Sequence, residues 1–219
     1  LLHTLVLLGY VAEVPGRRFR LTLKCLDLGF LALSSQDLWT HAQPLLRECV
    51  PGFVDAASVG MLEGADVVYL ARADRGLGRY QIDRRPGHRI PAYGAALGHA
   101  MLAWLPQQRQ MAVLESAPRL KLSERTLTGL DELLARLQEV RAQGYAVSDG
   151  ENAYGFRTVA VPVLDAHGQA VAGVSLTVES HRLSVAQVIP TALPRAYSIA
   201  AVLTRAVHMA GGAPSLPSR

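Results

Sequence analysis

Cysteine, aromatic side chains and long apolar runs are all scarce in this chain, and each scarcity removes a class of protein. Cys25 and Cys49 are the only cysteines. They have no CxxC spacing and no histidine cluster beside them, which argues against structural zinc and for two thiols in a reduced setting. No apolar run nears the roughly 18 residues of a membrane-spanning helix, and the amino end lacks the layout of a signal peptide. A cytoplasmic setting without a membrane partner is therefore expected. His41, His88, His99, His167 and His181 show no i, i+4 pairing, so no metal site is assigned. There is no G-x-S-x-G, P-loop, H-E-x-x-H or glycine fingerprint placed after a strand. No catalytic residue and no cofactor are assigned, and the chain does not read as an enzyme. Asp149 and Glu151 are close in sequence but have no partner base, and they read as solvated loop acids.

What is present begins with charge placement. The 219 residues carry a net +4, yet Arg17, Arg18, Arg20 and Lys24 face only Glu13 in the first 24. That local +3 leaves the rest of the chain near neutrality and puts the charge suited to nucleic acid at the amino end. Half of the residues are hydrophobic, enough for one sizeable domain plus a small one. The opening run LLHTLVLLGYV has no initiator methionine and no N-cap residue, and reads as a helix already in progress that Gly9 ends. Residues 10–14 and 18–22 look like strands around the turn dipeptide Pro15-Gly16. A helix followed by a basic hairpin is the back half of a winged helix-turn-helix, and the front half is expected to be missing.

Further along, Leu23 to Leu33 is a helical run with apolar residues on two faces, as a connector covered on both sides would need. Ser34-Ser35-Gln36-Asp37 caps a second helix, Leu38 to Cys49. Residues 57–62 and 67–71 form a hairpin, and Gly94 to Trp104 is a helix of small residues. Residues 107–116 are a short helix, and Leu130 to Val140 is an amphipathic helix ended by Gly144. Val159, Val161 and Val163 alternate, as do Val174, Leu176 and Val178 across the turn 165–168, giving a second hairpin. The last helix is expected over Ala192 to His208 with Pro194 in its first turn, followed by a disordered Gly/Pro/Ser tail. Hairpins interrupted by helices predict an α+β domain, an antiparallel sheet with helices on both faces.

In the second hairpin the valines take one face, so Phe156, Thr158 and Ala160 take the other, with Ser175 and Thr177 matching Thr158. Hydroxyls on a covered face need partners. A small polar ligand would supply them; so would backbone, water or solvent exposure. Pro91 to Gly98 opens a helix whose small side chains let an anion approach its free N–H groups. The same residues also suit tight helix–sheet packing.

The segments LLHTLVLLGYV…RRFRLT…CLDLGFLAL, RIPAYGAALGHAMLAWLP and VRAQGYAVSDGENAYGFRTVAVPVLDAHGQAVAGVSLTV, in this order, resemble the IclR family of bacterial transcriptional regulators. The forms IPAY…LG…LAWLP and YGFRTVAVPV look like the branch responding to aromatic acids such as protocatechuate and hydroxybenzoates (the PcaR/PobR type). The resemblance implies part of a winged helix-turn-helix over 1–22, a linker helix over 23–35, a GAF-like effector-binding domain over 36–208 and a tail over 209–219. It implies a homodimer or homotetramer, DNA as partner of the whole protein, and a small organic acid as effector. Position by position, the implied effector pocket holds Ile82, Ile90, Ala96, Leu97, Ser148, Phe156, Thr158, Ser175 and Thr177. Arg157 has the charge to contact a carboxylate, but strand alternation turns it from Thr158 and ranks it behind. Arg17, Arg18 and Arg20 would contact phosphate. His99 departs from the Lys or Arg usual in the family, and Gly150 from an acidic or amide residue. Other readings are a binding or dimerisation module without a DNA role and, less favoured, a small-molecule enzyme.

Overall fold

The computed structural model describes residues 1–34, 37–50, 52–76 and 85–209, leaving aside the side chains of residues 30–34, 37 and 39. The chain divides into two compact units, Leu1–Gln36 and Asp37–Arg219.

The first unit contains α1 (Leu2–Leu7), the hairpin β1 (Val11–Val14) and β2 (Arg18–Leu21), and α2 (Cys25–Ser34). Gly9 takes a positive φ of 77° just past α1, the left-handed conformation expected of a helix-ending glycine. Lys24 donates from Nζ to the Leu8 carbonyl at 2.9 Å, a cation on the negative end of α1. The hairpin turns through Pro15, Gly16 and Arg17, with Val14 opposite Arg18. Among the described residues, Arg17 is the non-glycine residue with positive φ, at 56°. Arg17, Arg18 and Arg20 are all exposed on this hairpin.

The second unit is built on a six-stranded antiparallel sheet, ordered β5-β4-β3-β8-β7-β6. Its strands are β3 (Ala56–Glu63), β4 (Asp66–Asp74), β5 (Arg89–Pro91), β6 (Ala146–Asp149), β7 (Phe156–Leu164) and β8 (Ala170–Glu179). One face carries Val59, Val159, Val161, Val174 and Leu176, each fully buried, beneath α3 (Asp37–Cys49) and α7 (Val185–Met209). The other face is covered by α4 (Ala96–Leu102), against which α6 (Leu130–Gln143) packs; α5 (Gln107–Glu115) adjoins α6. Every residue of α4 is buried. The architecture is the expected α+β one, with helices on both faces of an antiparallel sheet.

Several boundaries differ from expectation for identifiable reasons. The last helix starts at Val185, so Pro194 is in its interior together with Pro190. Gln187 supplies one half of a capping box, its Oε1 accepting the Ser184 N–H at 2.9 Å. Both prolines are on the solvent side of α7, where the carbonyls they leave without a helical donor, Ala186 and Pro190, can meet water. The burial that holds α7 is on its opposite side: Val188, Ala192, Ala196, Ile199, Leu203 and Val207. The small-residue helix begins at Ala96, not Gly94: Ala92–Gly94 form a 3-10 turn, and Ala95 is extended. A Cβ on Gly98 would lie 2.1 Å from the Ala92 carbonyl oxygen, so glycine is what lets α4 press on that turn. The edge strands β5 and β6, three and four residues long, were not anticipated. The expected tail lies mostly in 210–219, outside the described residues.

Candidate functional site

The two faces of the sheet differ in chemistry. Thr158 stands opposite Thr177 and Ser148, while Ser175 stands opposite Ala160 and Ser58. These residues share the face that α4 covers. A Cβ on Gly173 would come within 2.7 Å of a Leu97 methyl, and one on Gly60 within 3.1 Å, so both glycines let α4 lie close to the strands. Ser58, Ser148 and Ser175 are buried, as is Phe156. Thr158 and Thr177 pair their hydroxyls at 2.9 Å, which leaves each with further hydrogen-bonding capacity toward the face.

Of the sequence-predicted pocket residues, Ile90, Ala96, Leu97, Ser148, Phe156, Thr158, Ser175 and Thr177 are on this face or on the helix above it. Ile82 lies outside the described residues. Arg157 takes the opposite face, as strand alternation requires: Nε meets Asp149 at 2.7 Å and Nη1 donates to the Leu183 and Ser180 carbonyls. Its donors hold β6, β7 and the β8–α7 connection together and do not approach Thr158.

Sequence reasoning missed Arg72. β4 carries a bulge: Gly60 pairs with Tyr69 but Val59 pairs with Ala71, leaving Leu70 as the extra residue. Simple alternation from Tyr69 would turn Arg72 to the valine face. The bulge returns it to the hydroxyl face, opposite Ser58. There its side chain is 7% exposed, with Nη1 on Ser58 Oγ at 2.9 Å and Nε on Asp74 at 3.1 Å. The guanidinium is also 5.9 Å from the Tyr69 ring centre. A buried cation held by a hydroxyl, a carboxylate and one aromatic ring is the strongest chemical signal on this face.

Acids anchor the surroundings. Asp55 is fully buried and accepts the Glu179 N–H at 2.7 Å, and it pairs with Arg75 at 2.5 Å and with Arg182. Arg75 also reaches Glu179 at 3.3 Å. Asp149 and Glu151 are not solvated loop acids. Asp149 pairs with Arg125 and Arg157, and Glu151 is buried against Arg136 at 3.0 Å. Burial pushes the Glu151 carboxyl above its ordinary pKa, more than Arg136 lowers it. The Glu151 carbonyl accepts from Thr126 at 2.6 Å and Ser123 at 3.1 Å, fastening the segment 117–128 across the turn that leads to α4. On that segment Leu122 packs over Gly94, and the Leu120 carbonyl accepts the Tyr93 hydroxyl at 2.6 Å.

His99, inside α4, is 1% exposed. Tyr93's carbonyl can only accept, so the ring nitrogen Nε2, 2.6 Å away, carries the proton, and Nδ1 is buried without a partner among the described residues. Burial is the main cause that lowers its pKa to about 4, assisted by Arg136 and opposed by the Tyr93 carbonyl.

No group of three or more His, Cys, Asp or Glu side chains that could hold a metal occurs among the described residues. No described helix is long and apolar enough to cross a membrane.

The comparisons with known proteins agree with this architecture. The family model for the bacterial transcriptional regulator IclR C-terminal domain matches residues 30–201. The chain is similar to the Pca regulon regulatory protein of Pseudomonas putida, 36% identical over 193 residues, covering 88% of this chain and 66% of that protein. It thus spans just under two thirds of that relative's length. A Rhodococcus sp. RHA1 crystal structure described as a transcriptional regulator aligns at TM-score 0.78 and 36% identity, over 94% of this chain and 81% of that one. The inducer-binding domain of the PobR transcription factor from Acinetobacter, a double mutant in complex with 3-hydroxybenzoic acid, aligns at TM-score 0.67 and 26% identity, over 75% and 96%. With its six-stranded sheet, its covering helices and a family match across most of its length, this chain belongs to the IclR family of bacterial transcriptional regulators.

Proposed function

We propose that this chain is the sensing portion of a ligand-responsive transcriptional regulator, and that it binds a small aromatic carboxylate between α4 and the hydroxyl-bearing face of the sheet. The observation that carries the reading is the Arg72 side chain, 7% exposed and set beside Ser58 on the face that also bears Ser175, Thr158, Thr177 and Ser148. Asp74 already takes Nε at 3.1 Å, and a ligand carboxylate would add charge-assisted N–H bonds to the same fork. Tyr69, Phe156, Ile90 and Leu97 offer apolar surface to a ring, while the hydroxyls suit ring substituents. Ala96 and Leu97 form the α4 wall of the pocket. The similarity to a Pca regulon regulator and to a hydroxybenzoate-bound inducer domain supports an aromatic rather than an aliphatic acid.

In this reading the whole protein is a cytoplasmic dimer or tetramer in which effector binding alters how paired DNA heads engage the operator. The exposed Arg17, Arg18 and Arg20 contact phosphate, which positions the head without reading sequence. The division of labour is residues 1–22 for the DNA head, 23–35 for the linker and 36–208 for the sensor.

Calorimetric titration of the chain with 3-hydroxybenzoate, 4-hydroxybenzoate, protocatechuate and glyoxylate tests the reading. At least one aromatic acid is expected to bind and its neutral amide is not. Silence from every aromatic acid would overturn it.

A further inference from the structure

A second cavity lies apart from the face that bears Arg72. It is an open-sided hollow of about 150 Å³ between the β3–β4 turn, β5, α5 and the segment 117–128, and Pro91, Tyr93, Val113, Leu114, Leu120 and Leu122 supply most of its wall. None of the residues assigned to the acid site lines it. The polar groups at hand are already engaged or face outward. Tyr93's hydroxyl donates to the Leu120 carbonyl at 2.6 Å. Asp66, at the rim, is 3.8 Å from Arg89 and presents negative charge. Tyr93 and Leu114 are buried, whereas Leu120 and Leu122 are 68% and 38% exposed, so two leucines overhang the cavity with apolar surface still in water.

We infer that this cavity is a binding site for one small neutral apolar molecule, of the size and class of a benzene ring. A sealed engineered apolar cavity of roughly 150 Å³ takes up benzene or xenon; this hollow is open to water on one side, but its size and apolar lining set the same class of guest. Such a guest would remove the faces of Leu120 and Leu122 from water, which the hydrophobic effect favours. The cations nearby are already engaged, Arg89 with Glu63 and Arg119 with the Leu114 and Thr128 carbonyls, and Asp66 at the rim opposes an anion, so the cavity favours a neutral guest over an acid. Tyr93 belongs to the turn that leads into α4, and occupancy is felt first at that turn.

The test is a titration of the 219-residue chain with benzene, followed by the methyl resonances of Val113, Leu114, Leu120 and Leu122. These are expected to shift together and saturably, while Val161 and Leu176 on the far face of the sheet stay in place. Xenon should move the same methyls. Ala117→Leu, which fills the cavity from its rim, should weaken benzene binding at least tenfold, and Val113→Phe provides a second filling variant should the first fold poorly. No shift at the solubility limit of benzene, or shifts that survive cavity filling, would overturn the assignment. So would benzoate moving these methyls as readily as benzene. The readout does not depend on whether any acid binds beside Arg72, so either site can fail alone.

Discussion

The same strands carry two unlike surfaces. On one, Val59, Val159, Val161, Val174 and Leu176 are sealed beneath α3 and α7 without exposure. On the other, alternate residues of the same strands put Ser58, Thr158, Ser175 and Thr177 on the face that α4 covers, and the β4 bulge adds Arg72. Period-two alternation forces the division, since each residue's neighbour must point the opposite way. The valine face supplies burial worth about 1.5–3 kcal/mol for each large side chain. The hydroxyl face spends part of that on groups that are expensive to desolvate. If one face is for stability and the other for recognition, substitutions on the two should fail in different ways.

The largest effect is expected on the valine face. Leu176→Ala removes a fully buried side chain and should destabilise the chain by about 3–4 kcal/mol, the range of large-to-small core substitutions. Urea unfolding measures it. The folded fraction should bind the acid with unchanged affinity. A large loss of affinity at constant fold would show that the faces are not independent.

Next comes a pH response that originates in α4, on the hydroxyl side. His99 has a folded pKa lowered to about 4 against an ordinary value of 6.5, chiefly by burial. The unfolded chain therefore binds more protons between those values. Stability held by the neutral ring is fully present above pH 6.5 and falls as the pH drops toward 4, by up to about 3 kcal/mol. His99→Gln keeps a donor for the Tyr93 carbonyl and cannot charge, so its stability should be flatter across that window. Glu151 has its carboxyl raised by burial and titrates with the opposite sign. It is common to both proteins, so the difference between their unfolding curves isolates His99. Parallel curves would mean that the ring ionises freely in the fold.

Arg72→Met sharpens the comparison from the recognition side. Removing a buried cation that pairs with a carboxylate should cost about 100-fold in acid affinity, within the 2–5 kcal/mol seen when one partner of a buried charge pair is truncated. Folding stability should change by no more than about 1 kcal/mol, because the lost bonds to Ser58 and to the partly exposed Asp74 are offset by a guanidinium that no longer has to be desolvated. Calorimetry and urea unfolding on one sample separate the two. Lost stability with unchanged affinity would move Arg72 to the structural side.

What the sequence made legible follows the same division. Alternation in 156–163 and 173–178 placed the valines, the hydroxyls and the antiparallel pairing, because both strands run without irregularity through the residues concerned. Arg72 was invisible because a single extra residue, Leu70, inverts its side, and a bulge leaves no mark on hydrophobic periodicity. Glu151 read as a solvated acid because its partner, Arg136, is on a helix 15 residues earlier. Pro194 suits a first helical turn, which set the expected start at Ala192 and hid the two interior prolines of α7. The pair Ser184 and Gln187, five or more residues upstream, sets the true start.

The smallest expected effect discriminates most finely, because it changes chemistry while keeping shape. Thr177→Val replaces a hydroxyl by a methyl at the centre of the polar face, where Thr177 and Thr158 pair at 2.9 Å. The substitution leaves the Thr158 hydroxyl without that partner, a loss of about 1 kcal/mol in stability. A β-branched side chain is preserved, so packing against Ala56 and Thr158 across the strands changes little. If the hydroxyl also touches the acid, affinity should fall by about tenfold for a hydroxybenzoate and less for benzoate, whose ring has no substituent to lose a partner. Titrating both acids against the variant separates a direct contact from a general loosening. An equal fall for the two would mean that Thr177 acts only through the Thr158 pair. The valine face offers no comparable substitution, since its side chains have no hydrogen-bonding group to remove, and this is the property that makes it the stable half of the sheet.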